Sequence, residues 1–186
     1  MRKEPKRMAR PFLWSVALGL GAALLLTVFA PAGGRADKRA DGRRANAAVS
    51  LDREAEKLKI AQVVSSVIGW AKDKDLDKFY GSIANDDDYV SVTPTKRVVK
   101  RFEDVKQSVP FWMSPDFKYV RHELKDLEIT FARCGTVAWF FCVLDDINTW
   151  KGEPANWENA RWTGVVEKRD DKWVVVSQHF SFASDK

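Results

Sequence analysis

The chain has 186 residues and a formal net charge of +5, but most of that charge sits outside any foldable segment. Arg2, Lys3, Lys6, Arg7 and Arg10 precede a long apolar run, and Arg35, Lys38, Arg39, Arg43 and Arg44 crowd the stretch after it, which leaves the remainder slightly acidic. A nucleic-acid-binding role needs a basic patch on the domain itself and loses its support, and two isolated histidines without a clustered cysteine or carboxylate motif do not compose a metal centre.

In chain order, the charged opening and the apolar run from Phe12 to Ala30 have the form of an export signal. Ala30-Pro31-Ala32 offers a small-x-small cleavage site, with Gly34-Arg35-Ala36 as a second choice. The run also approaches the length of the shortest membrane spans, about 17 residues, so an uncleaved anchor is the alternative reading. Residues 1–32 are therefore expected to be a signal peptide or N-terminal membrane anchor, which is the chain's one membrane contact if it stays uncleaved. The domain is expected to be exported: periplasmic, secreted, or anchored and facing the periplasm. Residues 33–50 hold almost no large apolar side chain and read as a flexible linker. Residues 51–186 are the size of one ordinary domain.

That domain opens with a helix, because Ile60, Val63, Val64, Val67, Ile68 and Ala71 form one apolar stripe at the helical period. Asp75 caps a second helix carrying Leu76, Phe79, Tyr80 and Ile83. Asn85 to Asp88 breaks the pattern before a short strand from Tyr89 to Val92, and Phe102, Val105, Val109 and Trp112 suggest a third helix from Glu103 to near Pro110. Strands follow at Phe117 to Glu123, Leu127 to Ala132 and Val137 to Asp145. Val137 to Leu144 is apolar on both faces, as in a strand covered by helices on one side and a second subunit on the other. From Arg161 to Ser184 two strands rich in Trp, Val, Thr and Phe flank the polar turn Lys168 to Lys172, a hairpin. Strict alternation along its last strand puts Val174, Val176, Gln178, Phe180 and Phe182 toward the core, and Trp173, Val175, Ser177, His179 and Ser181 outward.

Helix, helix, short strand, helix and a run of antiparallel strands resembles the SnoaL-like domains of the nuclear transport factor two-like (ketosteroid isomerase-like) superfamily. The resemblance covers about Glu54 to Ala183. Its most specific parts are Ala138-Trp139-Phe140 followed by Leu144-Asp145, and Arg161-Trp162-Thr163-Gly164-Val165 through Lys172-Trp173 and His179-Phe180-Ser181. It implies a conical, cystatin-like α+β roll, with three N-terminal helices packed in a strongly bent antiparallel sheet and a pocket between them. It also implies a homodimer formed through the outer sheet face. The superfamily includes ketosteroid isomerase-like and polyketide cyclase-like enzymes, dehydratases, and members that only bind or assemble, so it fixes fold better than function. In the kinase association domains of this superfamily arginines line the pocket. Aligning on Lys172-Trp173 and Leu144-Asp145 places Trp139, Gly164 and Phe180 at those positions, which implies an aromatic, apolar pocket and disfavours a small carboxylate as ligand.

The pocket is expected to be walled by Tyr80, Trp112, Trp139, Phe141, Trp162, Gln178 and Phe180, suited to a small apolar ligand. Trp173, His179 and Ser181 are expected on the outer or dimer face, with Arg161 beside them. An isomerase of this kind needs a carboxylate base and a hydrogen-bond donor for the developing oxyanion; Asp88 is the candidate base, and His122, Tyr89 and Tyr119 are candidate donors. No cofactor or metal is expected. Cys134 and Cys142 are expected to remain free thiols, since a turn at Cys134-Gly135 sets Cys142 opposite a residue near Ile129. The leading expectation is an exported, dimeric small-ligand-binding or accessory domain. A cofactor-free isomerase, hydratase or cyclase and a structural assembly domain are the alternatives.

Overall fold

The computed structural model describes residues 34–184, with side chains from residue 52 onward. Helix α1 spans Gly34–Gly69 and runs into a short 3-10 turn, Trp70–Lys72. The stretch read as a linker is thus helical from Gly34, in keeping with its Ala and Arg content, both strong helix formers. The signal or anchor segment lies outside the described residues. Among those described, no helix is long and apolar enough to cross a membrane. The compact unit treated below is Gly42–Lys186.

Helix α2 (Leu76–Tyr80) is capped by Asp75, whose carboxylate accepts from the Lys78 backbone N–H at 2.9 Å. Strands β1 (Val90–Val92) and β2 (Val98–Lys100) then form a small hairpin. The third helical region divides into α3 (Arg101–Lys106) and α4 (Val109–Met113). Pro110 explains the break: it has no N–H to continue the ladder but fits the first turn of a new helix. The remaining strands are β3 (Phe117–Phe131), β4 (Val137–Trp150), β5 (Glu153–Pro154), β6 (Trp157–Arg169) and β7 (Lys172–Ser181).

The sheet runs β2-β1-β7-β6-β4-β3, with β5 paired to the end of β4. All pairings are antiparallel except β1 with β7. This is the expected α+β roll, a strongly curled sheet around the helices. The curl comes from register shifts, each of which adds a residue to one strand and bends it. In β3 the pairing slips at Tyr119/Arg121 and again at Lys125/Glu128, where Asp126 takes a φ of 54°. The two short strands expected there are one long strand with a bulge. The slip also sets Phe140 opposite Ile129 and Phe141 opposite Glu128, so Cys142 falls against the bulge itself. Cys142 is buried and Cys134 exposed, and both are free.

One slip alters the assignment of faces. Val165 pairs with Ser177 but Val166 pairs with Val175, so Val176 is an extra residue on β7. Alternation holds on each side of it and changes phase across it. Trp173 and Val175 therefore face inward before the bulge, and Gln178 and Phe180 face inward after it. Trp173, expected on the outer face, is 2% exposed, and its indole N–H donates to Glu56 of α1. Glu56 is also 2.6 Å from Lys59 and 3.2 Å from Lys168, and these partners hold its carboxyl at about 2, below the usual range. His179 is exposed and Ser181 half-buried.

Strand β4 alternates without a slip through its first half. Ala138, Phe140, Cys142 and Leu144 are buried in the same core cluster as Ile60, Val64 and Val67 of α1, while Trp139 and Phe141 point out, 49% and 36% exposed. Both were expected on the pocket wall. Parity forbids it, because Phe140 must face inward over Gly164, its pairing partner on β6. A Cβ at Gly164 would lie 2.5 Å from the Phe140 ring and 2.7 Å from the Ser177 carbonyl oxygen. The second contact is with backbone and cannot swing away. Gly164→Ala is expected to cost about 2 kcal/mol, read as a lowered urea midpoint; an unchanged midpoint would mean that the strands separate freely here.

Candidate functional site: a cavity between the helices and the bent sheet

The end of α1, the 3-10 turn and the helices α3 and α4 stand off from the concave side of β1, β4 and β7, leaving a cavity of about 550 Å³. Its walls are largely apolar: Val67, Ile68, Trp70, Phe79, Trp112, Trp157 and Phe180. The aromatic wall is rigid because its rings brace one another. Trp70 stacks on Phe79 at 4.7 Å, and Trp112 meets both edge-on at 5.7 and 5.6 Å. Phe180 is backed by Trp162 at 5.0 Å and flanked by Trp157 at 5.1 Å.

Polar groups converge at one part of this wall. Gln178 lies beside Ser91 in the parallel β1-β7 register, and its side-chain amide donates to Tyr89 Oη at 2.7 Å and Ser91 Oγ at 3.2 Å. Its Oε1, like Asn148 Oδ1, is buried without a hydrogen-bond partner. Both residues line the cavity. A buried oxygen left without a donor costs free energy, and a ligand hydroxyl or N–H that reached either one would relieve that cost. Burial pushes the Tyr89 phenol up to about 12, which keeps it protonated. Asp146, two residues before Asn148 and therefore on the same face of β4, also lines the cavity. Burial raises its carboxyl from the ordinary value near 3.8 to about 6.

Of the expected wall, Trp112, Gln178 and Phe180 line the cavity. Trp162 is fully buried behind it, packed between Phe140 and Phe180. Tyr80 lies outside it, edge-on to Phe102 at 4.9 Å. Asp88 does not enter the cavity either: its side chain is 80% exposed, 3.6 Å from Arg169. The acidic turn faces solvent because Asp86 and Asp88 both pair with that arginine, and the chain turns inward only at Tyr89.

His122 is half-buried on the concave face of β3, directly opposite Asp146 in the β3-β4 register. Its Nε2 is 2.9 Å from Ser65 Oγ, and its Nδ1 is 2.8 Å from Tyr119 Oη. The ring packs under Gly69 of α1 and does not line the cavity. Burial and the nearby Lys78 lower its pKa, and burial raises that of Tyr119. His122 thus ties β3 to α1.

Cavity residues with no role in the sequence expectation include Asp146, Asn148 and Arg97. The first two escaped because β4 was ended at Asp145. The continuing alternation in Asp146-Ile147-Asn148 was the available signal. Arg97 stands in the β1-β2 hairpin, within a stretch that carries no strong periodicity. Among the described residues no group of three or more His, Cys, Asp or Glu is placed to share a metal ion.

The raised pKa of Asp146 makes stability depend on pH with a definite sign. A carboxyl favoured as the neutral acid in the folded state stabilises below its unfolded value near 4, and that contribution is lost as pH rises through about 6. The shift corresponds to about 3 kcal/mol. Asp146→Asn should therefore raise the melting temperature at pH 7 and flatten its dependence between about pH 4 and 7. A variant that melts in parallel with the parent at every pH would show that Asp146 is not desolvated.

Comparison with known proteins agrees with this architecture. A structure from Streptomyces avermitilis, of a protein proposed to be a dehydratase of the NTF2-like family, superposes with a TM-score of 0.61 at 15% identity, covering 72% of this chain and 99% of its own. An NTF2-like superfamily protein from Salmonella enterica serovar Typhimurium gives 0.59 at 13% identity, covering 72% and 95%. A protein from Exiguobacterium sibiricum, proposed to be a Ca/calmodulin-dependent kinase II association domain, gives 0.55 at 9% identity, covering 71% and 96%. At these identities the likeness shows the fold alone. No curated relative matches the chain. The family model for the SnoaL-like domain matches residues 60–185, about two thirds of the sequence, and the chain belongs to that family.

Proposed function

We propose that this protein binds a small, mainly apolar molecule in the cavity between α1, α4 and β7, and does so outside the cytoplasm. The observation that carries the reading is the cavity's composition. A braced aromatic wall accompanies two buried side-chain oxygens, on Asn148 and Gln178, that have no partner of their own. Apolar walls with a few convergent polar groups are the usual form of a small-molecule site, and about 550 Å³ is within the usual range. Support for export is the basic opening and apolar run of the first 30 residues. Trp139 and Phe141, exposed side by side on the convex face of β4, support pairing of two chains through that face.

Asp146 favours a second reading, cofactor-free acid–base catalysis. A carboxyl raised to about 6 inside an apolar cavity is suited to take a proton from a carbon next to a carbonyl near neutral pH. The neutral Tyr89 hydroxyl and the Gln178 amide stand on the same wall.

Calorimetric titration of the full chain with naphthylethanol tests binding. Saturable one-site binding is expected, weakened about tenfold by Gln178→Leu, which removes an acceptor worth about 1 kcal/mol or more. No binding, or binding indifferent to Gln178→Leu and Trp112→Ala, would contradict the assignment. For catalysis, deuterium exchange at the carbons flanking the carbonyl of naphthylacetone should rise with pH around 6 and disappear in Asp146→Asn. Exchange at the uncatalysed rate would leave the protein a binder.

A further inference from the structure

Several charged groups of this domain sit in ion pairs. Lys59 and Lys168 are matched by Glu56, Lys125 by Asp145, and Arg169 by Asp86, Asp88 and Glu167. Arg97 is different. It lines the cavity, yet among the described residues it has no carboxylate within ion-pair distance. Its guanidinium is nevertheless positioned. One amino group donates to the hydroxyl of Ser108, which is 4% exposed at the start of α4. Its backbone carbonyl accepts from both the N–H and the hydroxyl of Thr93, at 3.2 and 2.9 Å, which closes the β1-β2 hairpin around it. A guanidinium has five N–H donors in a fixed fork, so holding Ser108 leaves the greater part of the fork of this exposed, cavity-lining residue without a protein partner among the described residues.

The other polar groups of the cavity constrain the ligand as well. Asp146, also without a cationic partner among the described residues, stands with Asn148 and Gln178, where the free atoms are acceptors. An anion placed there would meet the Asp146 carboxyl and two unpartnered oxygens beside a few neutral donors, whereas an anion at Arg97 meets a charged fork that matches carboxylate geometry.

We propose that the ligand is an amphiphilic monoanion, a ring-bearing or short-chain carboxylic acid whose carboxylate is held by Arg97 while its apolar body lies against Trp112 and Phe180. This rests on the binding role proposed for the same cavity and names the class of molecule it takes. It also reverses the expectation, drawn from the resemblance, that a small carboxylate is disfavoured. That expectation placed the family's arginine positions at Trp139, Gly164 and Phe180. Here the cation comes from the β1-β2 hairpin instead.

The test compares naphthylacetate with naphthylethanol, which share a ring and differ in charge, by calorimetry on the full chain and on Arg97→Gln and Arg97→Lys. On the parent, naphthylacetate should bind about tenfold tighter at low salt, equivalent to about 1.4 kcal/mol, and the margin should shrink as salt rises. Arg97→Gln should reduce the naphthylacetate affinity to that of the alcohol, and Arg97→Lys should keep part of the margin. Equal affinities on the parent, or a margin that survives Arg97→Gln, overturn the anionic assignment while leaving the cavity a binding site. Failure of both probes to bind overturns this proposal together with the binding role on which it rests.

Discussion

The bends in the sheet decide what this domain can hold. A seven-stranded sheet with strands of up to 15 residues would lie nearly flat and expose its inner face if its registers ran true. Extra residues in β3, β6 and β7 curl it around α1, and each bulge both bends the strand and resets which side chains face inward. At Val176 the reset brings Trp173 onto Glu56 at one end of β7 and delivers Gln178 and Phe180 to the cavity at the other. The helix tether and the ligand wall are therefore consequences of the same inserted residue.

Around that frame the distribution of polar groups is economical. The tether consists of one carboxylate with three partners, and it draws α1 onto the sheet at the end away from the cavity. At the cavity the polar atoms are left short of partners: Asn148 and Gln178 each keep an oxygen unsatisfied, and Asp146 has no counter-ion among the described residues. Such groups oppose folding when the cavity holds nothing able to satisfy them. Sites that recognise ligands commonly carry this kind of cost.

Much of the fold was legible in the sequence because its signals are local. The i, i+3, i+4 stripe from Ile60 marks α1, the polar turn at Lys168 to Lys172 marks the β6-β7 hairpin, and Val137 to Leu144 shows the double apolar face of β4. The site was less legible because it depends on registers, which are set by contacts between strands. Alternation read without the Val176 bulge sends Trp173 outward, and alignment read without parity sends Trp139 and Phe141 inward. Asp88 was chosen for its position before β1, but its neighbour Tyr89 is the residue that enters the core, because Arg169 holds the acidic turn outside. Trp112, Gln178 and Phe180 do line the cavity, although the helix expected to carry Trp112 breaks at Pro110 and β7 changes phase just before Gln178.

The central claim is that the concave wall, and not the aromatic patch on the convex face, meets the ligand. The eight tryptophans make it directly measurable, because each indole N–H gives its own resonance. With these assigned by single Trp→Phe substitutions, addition of naphthylacetate should shift the signals of Trp112 and Trp157, on the cavity wall, and leave that of the outward Trp139 in place. A spectrum in which Trp139 moves while Trp112 and Trp157 stay fixed would contradict the account and transfer binding to the outer sheet face.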